Sequence, residues 1–300
     1  MTELEILRDI IGRHASNYHG PSALDGLTIT ATDSPTEPRP GVSEPCLAMV
    51  VQGRKRTVIG DGVFDYAAGE YLVISLTVPV IGKVTEASAA VPFIGFGVRL
   101  DAAEIASLLL DSAELLSGNA AGTVGIAKAS AGEGLLGAAR HLVSLLDTPE
   151  DAAILAPLYR RELLWRLLRG PQGALVREIG LVDGSLADIA RAVTWIRDHH
   201  RDPIRIEQLA DLASMSASSF HRHFRAVTCL TPIQYQKAIR LQEARLALIA
   251  SPRDVARVAH SVGYDSASQF SREYRRQFGA PPGRDAARLR SAGPQPVTVP

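Results

Sequence analysis

An internal repeat in the C-terminal part of the chain constrains the fold more than any other feature. Superposing residue i on residue i+50 matches Ser216 with Ser266, Phe220 with Phe270, Phe224 with Tyr274, Arg225 with Arg275 and Pro232 with Pro282. Upstream of these pairs the offset is 49, since Leu209–Ala210 falls on Val258–Ala259. The second copy therefore has one extra residue in its turn.

Each copy has the pattern of a helix, a tight turn and a second helix. The predicted pieces are Ile206–Ala213, Ser214–Met215 and Ser216–Thr228 in the first copy, and Asp254–Val262, Gly263–Tyr264–Asp265 and Ser266–Phe278 in the second. Ala210 and Ala259 lie where two helices would cross closely, and Gly263 suits a turn with positive φ, where Ser214 is a tolerated substitute. This spacing is typical of the helix-turn-helix motif.

Capping signals support the same helices. Helix starts are predicted at Ser185–x–x–Asp188, Thr231–Pro232–x–Gln234, Ser251–Pro252–x–Asp254 and Ser266–x–x–Gln269. Residues 232–249 then form one connecting helix of about 27 Å, at 1.5 Å per residue. Because successive major-groove segments on one face of DNA lie about 34 Å apart, such a connector suits two motifs that enter neighbouring grooves.

The charge distribution agrees with this assignment. The formal net charge is zero, but residues 1–184 hold 15 basic and 22 acidic residues, and residues 185–300 hold 17 basic and 10 acidic residues. The two parts therefore carry −7 and +7. A basic half next to an acidic half indicates nucleic acid or a membrane surface as the partner of the basic half. Salt-dependent DNA binding by residues 184–300 alone, and none by residues 1–183, is expected.

The acidic part has a different pattern. Residues 1–19 predict a helix, the proline-rich residues 31–45 a loop, and Cys46–Leu100 about six short strands in an antiparallel barrel or sandwich. Gly60–Asp61–Gly62 is the predicted turn of a hairpin. Three helices are expected around 100–109, 135–146 and 150–169, and the glycine-rich residues 121–134 are interpreted as a flexible connector. The later helices either cover the strands or form a dimer interface.

Two stretches resemble a known family. Residues 206–248 followed by 255–283, above all GYDSASQFSREYRRQFG, resemble the AraC/XylS family of bacterial transcription regulators, and VVQGRKRTVIGDGVFDYAAGEYLVISL is similar to its regulatory N-terminal domain. The resemblance implies a mixed two-domain fold, with an N-terminal cupin-like antiparallel β-barrel with flanking helices and a C-terminal all-α domain of seven helices with tandem helix-turn-helix motifs. The predicted divisions are 1–120 for the barrel, 121–183 for a helical connector, 184–290 for the DNA-binding domain and 291–300 for a flexible tail.

Helix geometry separates buried from exposed positions in the two second helices. Phe220, Phe224 and Val227, and likewise Phe270, Tyr274 and Phe278, share one face of each helix and are expected in the core. The predicted DNA-binding residues lie opposite or beside that face: Ser218, His221, Arg222, Arg225, Ser268, Gln269, Arg272 and Arg276. Arginine suits guanine and glutamine suits adenine, and the resemblance implies base contacts near 218–222 and 268–272, with phosphate contact as the alternative for each arginine.

The barrel has no signature of an enzyme. No histidine occurs between Cys46 and Leu100, where a metal-dependent cupin needs two or three, and no cofactor is predicted. Candidate effector-binding residues are Arg54 and Arg56, with Lys55 between them, and Arg99, which would suit an anionic ligand but equally fit as surface charges. Cys46 is interpreted as a core thiol, with a redox or electrophile sensor as the alternative.

These observations predict a regulator that binds double-stranded promoter or operator DNA and responds to a small-molecule effector. A homodimer is expected, with RNA polymerase as a further partner if the protein is an activator. The alternatives are an effector-independent regulator whose barrel serves dimerisation and a cupin-type enzyme. With two cysteines, no long apolar run and no signal-peptide pattern, a cytoplasmic protein without membrane contact is expected.

Overall fold

A computed structural model gives the fold of the chain. The described residues are 1–15, 20–21, 24–112, 125–181, 184–250 and 254–291. Antiparallel strands dominate the N-terminal part and helices form the C-terminal part, which confirms the predicted fold class. The predicted tail lies outside the described residues from 292 onwards, as does the proposed cap at Ser251–Pro252.

Ten strands of the described residues form two sheets. They are β1 (Gly20–Pro21), β2 (Leu27–Thr32), β3 (Arg39–Ser43), β4 (Cys46–Gln52), β5 (Arg54–Ile59), β6 (Gly62–Ala67), β7 (Glu70–Ile74), β8 (Val78–Glu86), β9 (Phe93–Arg99) and β10 (Ile126–Ser130). The six-stranded sheet has the order β1-β2-β9-β4-β7-β10 and the four-stranded sheet the order β3-β8-β5-β6. The described strands thus form two sheets that do not close into one barrel, which corresponds to the sandwich alternative of the prediction for Cys46–Leu100.

Two segments predicted to lack regular structure contain strands. Strand β3 lies within the predicted loop 31–45 and pairs with β8, while β10 lies within the predicted connector 121–134 and pairs with β7. Both are edge strands of their sheets. An edge strand needs hydrogen bonds on one side only, so β3 tolerates Pro40. Neither segment shows the alternation of apolar and polar residues on which sequence-based assignment of strands depends.

Helices cover the outer face of the six-stranded sheet. They are α1 (Glu3–Ala15), α2 (Ala102–Asp111), α3 (Glu133–Ser144), α4 (Ala152–Leu168) and α5 (Gly173–Gly180). One apolar core joins Leu7 and Ile11 of α1 and Leu142 of α3 to the outward-facing Leu47 and Met49 of β4. The helix predicted over 1–19 ends at Ala15 within the described residues, and α5 was not predicted.

A second core lies between the two sheets and continues into the helices after residue 184. Val50 of β4 points into it because successive side chains of a strand alternate between faces. Three polar side chains of the four-stranded sheet, Lys55, Thr57 and Tyr66, are buried there as well. The Thr57 and Tyr66 hydroxyls lie 3.2 Å apart and form a hydrogen bond.

Seven described helices follow residue 184, as expected. They are α6 (Ser185–Asp198), α7 (Ile206–Leu212), α8 (Ala217–Thr228), α9 (Pro232–Ala250), α10 (Val255–Ser261), α11 (Ala267–Phe278) and α12 (Pro282–Ser291). The capping box at α9 forms as predicted, since Gln234 N–H donates to Thr231 Oγ1 at 3.3 Å and Thr231 N–H donates to Gln234 Oε1 at 2.8 Å. Among the described helices, none is long and apolar enough to cross a membrane.

Candidate nucleic-acid interface

The two turns of the repeat begin with the same hydrogen bond, although the second contains one extra residue, Asp265. Each is closed by a hydrogen bond from the residue that follows the positive-φ position: Met215 N–H to Ala210 C=O at 2.9 Å, and Tyr264 N–H to Ala259 C=O at 3.0 Å. Both alanines are buried, as helices that cross closely require. The predicted correspondence between the two copies therefore extends to individual hydrogen bonds.

Ser214 and Gly263 adopt the predicted positive φ, at 53° and 89° respectively. A Cβ on Gly263 would lie 2.3 Å from the carbonyl oxygen of Arg201, so a side chain is excluded at this position. Ser214 accepts the left-handed conformation with a side chain and is exposed. The glycine is thus required by a close backbone approach as well as by the turn.

The predicted inward faces of α8 and α11 are buried. Phe220, Phe224, Phe270 and Tyr274 are completely enclosed. Phe224 meets Tyr235 of α9 edge-on, with ring centroids 5.8 Å apart, and the second motif has a related edge contact, 5.3 Å, between Tyr264 and Phe270. These rings fix each second helix on its own motif and leave the opposite face to solvent.

All eight predicted DNA-binding side chains are exposed. They are Ser218, His221, Arg222 and Arg225 on α8, and Ser268, Gln269, Arg272 and Arg276 on α11. Each helix is capped by a serine of the turn, because Ser216 Oγ accepts from Ser219 N–H and Ser266 Oγ accepts from Gln269 N–H. The structure therefore presents two similar polar helix faces, as the repeat predicts.

The exposed arginines differ in their partners. Within the described residues no acidic side chain pairs with Arg222, Arg272 or Arg276. Arg225, in contrast, forms an ion pair of 2.6 Å with Asp61 in the turn between β5 and β6. Three cations of the candidate interface are thus available to an external anion, and one is engaged by the N-terminal domain.

Glu273 organises the second motif from within α11. Its carboxylate accepts hydrogen bonds from Lys237 Nζ at 2.9 Å, Tyr264 Oη at 2.9 Å and Gln269 Nε2 at 3.2 Å. Burial opposes ionisation of this carboxyl group, yet these donors lower its pKa below the ordinary value. Gln269, a predicted base contact, is held in place by this network.

Arg240 of α9 joins the loop before the first motif to the turn of the second, a role that sequence reasoning missed. Its guanidinium donates to the carbonyl oxygens of His200 at 2.5 Å, Gly263 at 2.7 Å, Arg201 at 3.0 Å and Asp202 at 3.1 Å. Burial lowers the pKa of this arginine. The connecting helix is therefore joined to the loop after α6 and to the second turn, and no sequence pattern indicates this because the hydrogen-bond partners of Arg240 are all backbone carbonyl groups.

The N-terminal domain packs against the first motif. The carbonyl oxygen of Cys229, just after α8, accepts a hydrogen bond from Asp61 N–H at 3.3 Å, and Tyr235 Oη donates to the carbonyl oxygen of Thr77 at 2.8 Å. A Cβ on Gly60 would lie 1.8 Å from that Cys229 oxygen. The predicted hairpin turn is therefore also a contact between domains.

The three predicted effector-binding arginines occupy separate surface positions. Each is paired with a carboxylate: Arg54 with Glu86 at 2.8 Å, Arg56 with Asp65 at 2.7 Å and Arg99 with Asp25 at 2.7 Å. Lys55, between the first two, points into the space between the sheets, where burial lowers its pKa to about 8. The geometry thus favours the surface-charge interpretation for the arginines.

Cys46 lies at the start of β4, with its thiol 3.3 Å from Ser43 Oγ. Burial raises the pKa of this thiol, so the reactive thiolate is disfavoured. This environment supports a core thiol over a sensor.

Two family models match the chain. Residues 23–175 match the AraC-type transcriptional regulator N-terminus, and residues 209–288 match a helix-turn-helix domain. The second match spans both copies of the repeat.

Curated relatives include HTH-type transcriptional activators named RhaS. The Salmonella arizonae protein is 31% identical over 159 residues, which cover 52% of this chain and 55% of that protein. The Citrobacter koseri protein is 31% identical over 155 residues, covering 49% and 54%. The chain spans about half the length of the curated relatives it matches.

Solved structures of ToxT from Vibrio cholerae share the two-domain fold. One at 6% identity covers 88% of this chain and 98% of ToxT, with a TM-score of 0.56. Another, bound to an unsaturated fatty acid, has 8% identity, 87% and 95% coverage and a TM-score of 0.55. At such identities the likeness concerns the fold alone. The family match over residues 23–175, half of the chain, shows that this protein belongs to the AraC-type transcriptional regulators.

Proposed function

We propose that the protein is a sequence-specific regulator of transcription that binds double-stranded promoter or operator DNA through α8 and α11. The observation that carries the proposal is the pair of repeated helix-turn-helix units with exposed polar faces and buried aromatic faces. Their domain carries the excess of basic residues, which favours contact with phosphate. The named RhaS activators support the same function.

Within this proposal the exposed residues divide into two groups. Arg222 and Arg272 have no acidic partner among the described residues and suit bidentate contact with guanine, while Gln269 suits adenine. Ser218, His221 and Ser268 lie beside them as further base contacts. Arg225 and Arg276 lie further along their helices and suit phosphate.

Arg222→Ala provides the test. We expect a loss of about 1–3 kcal/mol on a duplex selected from a random pool with the purified protein, and a much smaller loss on a scrambled duplex. Arg225→Ala, one turn away on α8, is the matched comparison: because Asp61 holds its guanidinium, we expect little change in affinity for either duplex. An equal loss on both duplexes for Arg222→Ala would assign this residue to phosphate contact.

We further propose that a small molecule modulates DNA binding through the N-terminal domain. The fatty-acid-bound ToxT structure supports this in outline, because the fold is shared. The cavity beside Lys55 and Tyr66 measures only about 10 Å³, so an effector between the sheets would have to displace side chains. The rival is a regulator without an effector, and a ligand-dependent rise in melting temperature of the full chain would argue against it.

The remaining parts of the proposal concern assembly and location. A homodimer is favoured by exposed apolar side chains on α2 and α4, namely Leu110, Ile154 and Leu158, and sedimentation would test it. If the protein is an activator, we propose that it also contacts RNA polymerase. A cytoplasmic location is proposed because the protein would bind promoter or operator DNA. The regulator family gives no support to the alternative of a cupin-type enzyme.

A further inference from the structure

A cleft of about 250 Å³ lies on the outer side of the six-stranded sheet, away from the DNA-binding helices. Its walls come from Tyr71 of β7, Gly132 and Gly134 at the start of α3, and Arg166, Arg169 and Gly170 at the end of α4. Neither the effector candidates nor the repeat includes any of these residues. The cleft is therefore separate from the interface described above.

Tyr71 brings a buried hydroxyl group to this cleft. The side chain is completely enclosed, and its Oη has no hydrogen-bond partner. The Oη lies 3.7 Å from the position that a Cβ on Gly170 would take, so the absence of a side chain at 170 keeps the space before it open. A buried hydroxyl without a partner costs stability, which indicates a donor kept for a ligand.

The first turn of α3 adds backbone donors. Gly132 occupies the N-cap and has no side chain to accept from the amides of the first turn. A Cβ at Gly132 would meet no atom within 4 Å, so the helix end faces open space. The N-terminus of this 12-residue helix carries a partial positive charge, which attracts anions.

Two arginines complete the cationic wall. The closest approach of Arg166 to a carboxylate is 3.7 Å, from Nη2 to Glu162 Oε1, which is a loose contact, and its Nη1 lies 3.5 Å from the site of a Cβ on Gly134. The Arg169 guanidinium lies 5.6 Å from the centre of the Trp165 ring, and no ion pair holds it among the described residues. Both side chains can therefore turn towards an anion in the cleft.

We propose that this cleft binds a small organic anion through its carboxylate or phosphate group. The amide of Gly134, the Tyr71 hydroxyl and the guanidinium groups of Arg166 and Arg169 donate to the anionic group, and Leu135 and Pro171 contact its apolar part. The volume suits a molecule of about one aromatic ring. The proposal concerns binding only and is independent of DNA binding.

The test uses the full chain and three probes: benzoate, inorganic phosphate and benzamide, which is the neutral analogue of benzoate. Calorimetry is expected to show binding of at least one of the two anions and none of benzamide. Binding of benzoate alone or of phosphate alone supports the proposal and identifies the preferred group. Absence of binding by both anions, or equal binding of benzamide and benzoate, would overturn it.

Tyr71→Phe separates a ligand-binding role from a structural one. Because the hydroxyl has no partner to lose, we expect the variant without ligand to melt at the same temperature as the wild type or higher, while the Kd of the bound anion rises roughly tenfold. The double variant Arg166→Gln, Arg169→Gln is expected to weaken binding at least as much.

Arg161→Gln is the matched control, since Arg161 lies on the same helix but pairs with Asp111 at 2.7 Å, outside the cleft. It should bind the anion as the wild type does. A Kd within about twofold of wild type in both Tyr71→Phe and the double arginine variant would refute the site.

Discussion

Removal of the Asp61 carboxylate tests whether the N-terminal domain restrains the first DNA-binding helix. Asp61 and Arg225 form an ion pair of 2.6 Å, with side chains 68% and 63% exposed, and the same aspartate donates its backbone N–H to the Cys229 carbonyl oxygen. Asp61→Ala removes the ion pair and leaves that backbone hydrogen bond in place. It also removes a negative charge next to a surface proposed to approach phosphate.

The exposure of both side chains sets the expected magnitudes. An ion pair this accessible to water contributes about 0.2–1 kcal/mol, so the free energy of unfolding is expected to fall by less than about 1 kcal/mol. For DNA binding, the released Arg225 adds one phosphate contact. The plot of log K against log salt concentration then steepens by about 0.9, and Kd at physiological salt falls roughly three- to fivefold.

The assay is fluorescence anisotropy with one labelled duplex at several salt concentrations. Asp65→Ala is the matched control because it removes another aspartate of the same hairpin, which pairs with Arg56 at 2.7 Å. The double variant Asp61→Ala, Arg225→Ala should lack both the higher affinity for DNA and the steeper salt dependence of Asp61→Ala. The reasoning is refuted if Asp61→Ala and Asp65→Ala have the same affinity and the same salt dependence.

Three further predictions concern stability. Arg245→Met removes a donor, 2.9 Å away, from the completely buried Asp285 carboxylate and is expected to cost about 3 kcal/mol in urea unfolding. Gly60→Ala places a Cβ at φ +56° and 1.8 Å from the Cys229 carbonyl oxygen, so a loss of more than about 1 kcal/mol is expected in thermal unfolding. Lys55→Met tests burial of a cation: the pKa of Lys55 is about 8 in the fold against 10.5 ordinarily, so between these pH values the unfolded chain binds more protons. Stability of the wild type relative to Lys55→Met should therefore rise by up to about 3 kcal/mol from pH 8 to pH 10.5.

Each of these predictions has a control. Arg288→Met removes a second donor to Asp285, but that side chain is 63% exposed and its loss should cost far less than the loss of Arg245. Gly69→Ala also has positive φ, at +80°, but its Cβ would approach nothing closer than 3.4 Å, so a loss equal to that of Gly60→Ala would contradict the proposed clash. For Lys55, a stability difference that stays constant with pH would show that the amine is not buried as described.

The repeat made the C-terminal domain predictable to within one or two residues. Predicted helix Ser216–Thr228 corresponds to Ala217–Thr228, and predicted helix Ser266–Phe278 to Ala267–Phe278, with the serines as caps. Here periodicity, capping and turn chemistry all indicate the same structure, and the two copies provide independent support for one another.

The less predictable parts are those whose structure depends on distant partners. Strands β3 and β10 are stabilised by pairing with β8 and β7, and neither has the alternating apolar pattern of a typical strand. In the site, the exposed residues follow from helix geometry, but the partner of Arg225 is 164 positions away in sequence. The role of Arg240 depends on carbonyl groups, which every residue possesses, so nothing in its sequence context indicates it.

The hydrogen bonds of Arg240 have a consequence for the DNA. One guanidinium joins the 19-residue helix α9 to the second turn and to the loop that follows α6, so we expect the two motifs to keep a fixed spacing. On the proposed function, the spacing between the two half-sites is then a property of the protein, and the DNA has to conform to it. Base substitutions in the target DNA should weaken binding by graded amounts. Insertion of a single base pair between the half-sites, in contrast, rotates one major groove away from its recognition helix. The operators of this protein should therefore vary in sequence and hardly at all in length.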